Sequence, residues 1–182
     1  MYIASQVLVF TGIAVELIGR LMKSKRLVLV FLFIACLFYV SSYICLKSPL
    51  PAIINGINVL RSFTYAYLNE KNKPFKSYVF PIVLTVVLAV PFVVIFWTGP
   101  LDLFMLASVI VLSVGLAIKN MLTVRLCLMA NNSMWAVYNF TIKGYANMIC
   151  DIVNVFITFG ALVTYNIILP KRQKKKETTE QQ

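Results

Sequence analysis

Seven apolar runs divide this chain of 182 residues. Each is close to the roughly 20 residues a helix needs to cross a bilayer. They lie at 2–22, 27–46, 51–68, 77–98, 101–118, 122–141 and 145–169. Lipid offers no partner to a backbone N–H or C=O, so such a run crosses as a helix that satisfies its own backbone. The breaks carry the turn signals KSKR, LKSP, NEKNKPFK, TGPLD and IKG, and Pro170 closes the last run. The chain is 60% hydrophobic with a mean hydropathy of +0.86. A soluble domain of this size cannot bury that much apolar surface. The expected fold is an all-α integral membrane protein with the lipid bilayer as its outer solvent. The first run lacks a basic leader and is of full spanning length, so it reads as a retained helix.

The net charge is +11. Its placement argues against a nucleic-acid partner, because the basic residues sit in short clusters between apolar runs and no binding motif accompanies them. Arg20, Lys23, Lys25 and Arg26 flank the first connection, Lys71, Lys73 and Lys76 lie in the third, and Lys119 in the fifth. The tail PKRQKKK adds more, whereas the second, fourth and sixth connections hold only Lys47, Asp102 and Lys143. Lysine and arginine favour the cytoplasmic side, which puts the N-terminus outside and the C-terminus in the cytoplasm. Residues 170–182 read as a solvated basic tail. Histidine is absent, and the four cysteines, Cys36, Cys45, Cys127 and Cys150, show no CxxC spacing. Neither a metal site, a cofactor nor a His-based triad is expected, and the cysteines read as small hydrophobes. With no nucleophile–base constellation, the chain does not read as an enzyme.

The third and seventh runs match at a shift of 96 residues. Asn55 meets Asp151, Asn58 meets Asn154, Ser62 meets Thr158 and Phe63 meets Phe159. The polar members recur at i, i+3 and i+7, one face of a helix. The same shift sets Tyr39 on Trp135. A three-helix unit ends on the side opposite to its start, so a second copy joined directly would be inverted. An inserted fourth helix restores the direction and lets the units pack as parallel repeats. The expected plan is therefore 3+1+3: a first unit at 1–68, a linker helix with its loops at 69–100, and a second unit at 101–169.

The stretches MWAVYNFTIKGYANMICDIVN and FYVSSYICLKSPLPAIINGINVLRS, with the overall length, resemble the bacterial YgjV-type inner-membrane family. That family is grouped with the SWEET, semiSWEET and PQ-loop proteins. The resemblance implies a bacterial inner-membrane protein that moves a small polar, sugar-like solute by alternating access. The related PnuC-type group implies a vitamin-like nucleoside instead. By position it also implies Tyr39 and Trp135 as the aromatic members of a solute site, with Asn55 and Asp151 as polar partners. Two departures stand out. The first and fifth runs lack the hinge proline usual in SWEET units, with Pro81 and Pro91 in the fourth run instead, and one asparagine position is an aspartate.

Asp151 is the most telling residue. A carboxylate at mid-membrane costs about 2.5–3.5 kcal/mol on insertion scales, so it is expected to face a cavity or a partner. It either contacts a solute or proton, or ties helices together near the outer surface. Asn55, Asn58 and Asn154 have the same two readings. Trp135 lies near the middle of its run, away from the interfacial belt that membrane tryptophans favour. Asn131 and Asn139 fall four residues either side of it on one face, with Tyr138 and Asn132 offset. Tyr43 joins Tyr39 in the first unit. Glu16 and Arg61 fall at similar depth in helices of one unit, so an ion pair between them is expected, as a structural clamp or an inner gate. Arg125 is expected to snorkel to the surface. The competing reading of the whole chain is a non-transporting membrane interaction protein, and a homo-oligomer is compatible with either.

Overall fold

The computed structural model of the chain describes residues 2–71 and 73–168. Pro170 and the basic tail 170–182 lie outside the described residues. Among the described residues there are seven helices: α1 (Tyr2–Leu21), α2 (Lys25–Cys45), α3 (Pro49–Glu70), α4 (Lys76–Ile95), α5 (Asp102–Ala117), α6 (Met121–Thr141) and α7 (Tyr145–Leu162). A π-helical turn, Val163–Ile168, continues α7. No strand occurs among the described residues.

Four segments are long and apolar enough to cross a membrane: Ile3–Leu21, Lys25–Cys45, Lys76–Ile95 and Tyr145–Asn166. α3 and α6 are as long, at 22 and 21 residues, but carry polar side chains that lower their hydropathy. Those side chains, among them Asn55, Asn58 and Arg61 on α3 and Asn131, Asn132 and Asn139 on α6, are buried. The polarity of α3 and α6 is thus turned inward. α5 has 16 residues.

α2 packs between α1 and α3, and α6 packs between α5 and α7. α4 lies against α3 and α5, and the ring is closed by α1 on α7 and α3 on α5. The outer surface is apolar, with Phe10, Phe63, Phe80, Val94 and Phe156 all exposed. This reverses the distribution of a soluble protein and suits lipid as solvent. One apolar cluster forms around Leu29, Tyr65, Tyr78 and Leu116. Another forms around Tyr43, Ile54, Val93 and Trp135.

Two local structures occur twice, each pair 96 residues apart. α2 and α6 end in the same left-handed cap, with Lys47 at φ 55° and Lys143 at φ 58°. In the first, Ser48 N–H donates to Tyr43 C=O and Lys47 N–H to Ile44 C=O; in the second, Gly144 donates to Asn139 and Lys143 to Phe140. Each satisfies carbonyls that the helix end would otherwise leave open. The second feature is a close helix crossing. Gly19 of α1 lies directly against Phe31 of α2, and Gly115 of α5 against Cys127 of α6. A side chain at either glycine would strike the Cβ of its neighbour, which cannot swing away.

Gly19→Ala and Gly115→Ala are each expected to destabilise the fold by about 1–3 kcal/mol through overpacking. Gly160→Ala, where the added methyl meets nothing within 4 Å, serves as the control. Thermal unfolding in detergent checks this: the first two midpoints fall, and that of Gly160→Ala stays level or rises.

Candidate functional site: a polar cavity between the helices

The i, i+3, i+4 and i+7 spacings of the polar residues turn one face of each helix to the same place. α1 supplies Glu16, α2 supplies Tyr39 and Tyr43, and α3 supplies Asn55, Asn58 and Arg61. α6 supplies Asn131, Asn132, Trp135 and Asn139, and α7 supplies Asn147 and Asp151. Together with Leu32, Cys36, Leu112 and Cys150 they line one cavity of about 50 Å³. That is room for a few waters, against roughly 300 Å³ or more in sites that take drug-sized ligands.

Of the residues singled out from the sequence for the site, Asn154 and Tyr138 do not line this cavity; Glu16, Tyr39, Tyr43, Asn55, Asn58, Arg61, Asn131, Asn132, Trp135, Asn139 and Asp151 do. Asn154 is buried, and its amide donates to Glu16 Oε2 at 3.2 Å. Asn55 and Asp151 share the cavity, but Asn55 Nδ2 donates back to Pro51 C=O in its own helix, at 2.9 Å. Asp151 Oδ2 accepts from Asn139 Nδ2 at 2.8 Å, and Asn139 Oδ1 accepts from Tyr43 Oη at 3.1 Å. Tyr43, Asn139 and Asp151 therefore form a chain of hydrogen bonds from α2 through α6 to α7. Trp135 is buried with Tyr43 and Tyr138 at ring-centroid distances of 6.3 and 6.1 Å. Asn131 Nδ2 donates to Asn132 Oδ1 at 3.0 Å.

The expected Glu16–Arg61 ion pair is not formed. Glu16 pairs with Arg20, one turn along the same helix, and both are buried. Tyr39 Oη donates to Glu16 Oε2 at 2.6 Å, and Arg20 Nη1 donates to Thr158 Oγ1 at 2.5 Å. Glu16 is thus the hub of a cluster joining α1, α2 and α7. The reason is reach: a partner at i+4 sits on the same helix face, while Arg61 lies on another helix. Arg61 instead donates from Nη1 to Val109 C=O at 3.4 Å and to Ser113 Oγ at 3.3 Å.

Arg20 is the residue sequence reasoning missed, having been counted among the basic flank of the first connection. The i, i+4 spacing from Glu16 was the available signal. Lys25, counted in the same flank, is also buried and donates to Ile118 C=O at 2.9 Å. Arg125 was expected to reach the surface without a partner. It is buried, donates to Asn166 Oδ1 at 2.5 Å and stacks 4.9 Å from the Tyr165 ring centroid.

Glu16→Ala is expected to cost about 3–5 kcal/mol, because it leaves the Arg20 guanidinium buried without a counter-charge. The double variant Glu16→Ala/Arg20→Ala should recover part of that loss. A double-mutant cycle of unfolding free energies in detergent measures the coupling.

Comparison with curated proteins and with solved structures found no match. A family model described as "Bacterial inner membrane protein" (Imp-YgjV) matches residues 3–167. The apolar outer surface and the four spanning-length apolar segments agree with that description. The chain belongs to the YgjV family of bacterial inner-membrane proteins.

Proposed function

We propose that the protein carries a small polar solute across the inner membrane by alternating exposure of its central cavity. The carrying unit is a pair of three-helix bundles, α1–α3 and α5–α7, arranged as parallel repeats with α4 as the linker that restores direction. The recurrences at 96 residues support the repeat: the Lys47 and Lys143 caps and the Gly19 and Gly115 crossings. So does the packing, since α1 on α7 and α5 on α3 are the same contact with the two units exchanged. The Tyr43–Asn139 hydrogen bond also joins two positions 96 residues apart, as expected of residues facing one another across the axis that relates two repeats.

An outside N-terminus is supported by the exposed basic residues. Lys23, Arg26, Lys71, Lys73, Lys76 and Lys119 flank the first, third and fifth connections, against Lys47 and Lys143 in the second and sixth. The cavity itself carries the functional reading. Helices that only needed to adhere would pair their amides with one another; here Glu16, Arg61 and Asp151 face the same space as Asn58 and Trp135. Intramembrane ionisable groups facing a cavity mark solute or ion pathways far more often than simple packing. At about 50 Å³ the cavity has room for a few waters, so loading a larger solute requires the two bundles to part. No catalytic step belongs to this reading.

The test is reconstitution of the full chain in proteoliposomes and a screen of radiolabelled sugars, nucleosides and amino acids. At least one solute is expected to accumulate, with uptake reduced at least about tenfold by Asp151→Asn and by Trp135→Ala. If no solute crosses or binds, the polar stripes are adhesive only, and the protein is a membrane interaction protein.

A further inference from the structure

Among the described residues the ion pairs are Glu16–Arg20 and Arg26–Glu70. Arg61 and Asp151 are left as a guanidinium and a carboxyl group that line one cavity, neither of them in an ion pair. Arg61 is 2% exposed, and its Nε and Nη2 have no hydrogen-bond partner. Those two atoms form the side of the guanidinium that a carboxylate bridges with two parallel bonds. Its Nη1 meets only a carbonyl and a hydroxyl, at 3.4 and 3.3 Å. A buried guanidinium with an open fork is costly unless something anionic completes it. Asp151 accepts from the neutral Asn139 amide and has a second carboxylate oxygen to offer. Glu16 is occupied already, by Arg20, Tyr39 and Asn154.

We propose that the transported solute is a small zwitterion of amino-acid type, its anionic group held by Arg61 and its cationic group by Asp151. A neutral sugar satisfies neither charge. A simple amine leaves Arg61 open, and a simple acid leaves Asp151 open. Only a solute bearing both signs completes both residues while keeping the buried site neutral overall. The open Asn58 Oδ1 and Asn132 Nδ2, on the same cavity, add one acceptor and one donor for the neutral part of the solute. The small volume sets the size class.

This assignment rests on the transporter reading, and the experiment separates the two. Proteoliposomes holding the full chain are offered radiolabelled glycine, L-alanine, γ-aminobutyrate and glycine betaine, beside propionate, propylamine, D-glucose and uridine. The expected result is accumulation of at least one zwitterion and of neither single-charge compound. Asp151→Asn should then lower zwitterion uptake at least about tenfold, in line with the loss of one charge-assisted bond, while making propionate an effective competitor. Arg61→Gln should do the same with propylamine as the new competitor. A merely structural role for either residue would not exchange the competitor. Should a variant fail to elute as the wild type does, the wild-type pattern alone decides. Uptake of glucose or uridine with none of any zwitterion overturns the assignment and leaves transport standing. No uptake of anything overturns both.

Discussion

The fold turns on how a bilayer protein disposes of the Glu16 carboxylate. In lipid this group cannot stay unpaired. It draws in Arg20 from its own helix, Tyr39 from α2 and Asn154 from α7. Arg20 in turn reaches Thr158 on α7. The buried Glu16–Arg20 pair therefore fastens α1 to α7, which no backbone contact would require. Each bond is worth more than it would be in water, because there is no solvent to replace a lost partner. The bonds that α7 makes to this cluster come from Asn154 and Thr158, while the Glu16–Arg20 pair lies wholly on α1.

The other half of the interior is organised differently. The Tyr43–Asn139–Asp151 chain satisfies amide, hydroxyl and carboxylate in sequence. Arg61, Asn58 and Asn132 keep open donors and acceptors beside it. A site fully satisfied by its own protein has no reason to bind anything, and one left wholly open would not persist in a bilayer. The cavity lies between these limits. Its walls are fixed by the clusters around Tyr65 and Trp135.

Much of this was legible from residue spacing. The polar stripe at Asn55, Asn58 and Ser62 is buried, and of its counterpart Asn154 and Thr158 are buried while the half-buried Asp151 lines the cavity, as a single helix face must. Trp135 was marked by lying mid-helix. Tertiary choice was not legible. Sequence depth matched Glu16 with Arg61, but the nearer Arg20 took the charge, and Asn154 was drawn away from the cavity by the same carboxylate. Arg20, Lys25 and Arg125 looked like membrane flanks because composition cannot tell an end residue that faces water from one that faces a neighbouring helix. Cys36 and Cys150 gave no signal, since a thiol reads as a hydrophobe whether it packs on lipid or lines a cavity. The twin caps at Lys47 and Lys143 were equally hidden, because lysine seldom marks a left-handed turn.

Those two thiols offer the most direct test that side chains from α2 and α7 face one shared, wettable space. Cys36 on α2 and Cys150 on α7 line the same cavity of about 50 Å³. With Cys45 and Cys127 replaced by serine, the membrane-embedded protein is treated with a small hydrophilic thiosulfonate and weighed intact. The expected product is a single adduct distributed between Cys36 and Cys150, because the first modification fills the space the second needs. Two adducts per chain, or complete inertness of both thiols, would contradict a common cavity open to water.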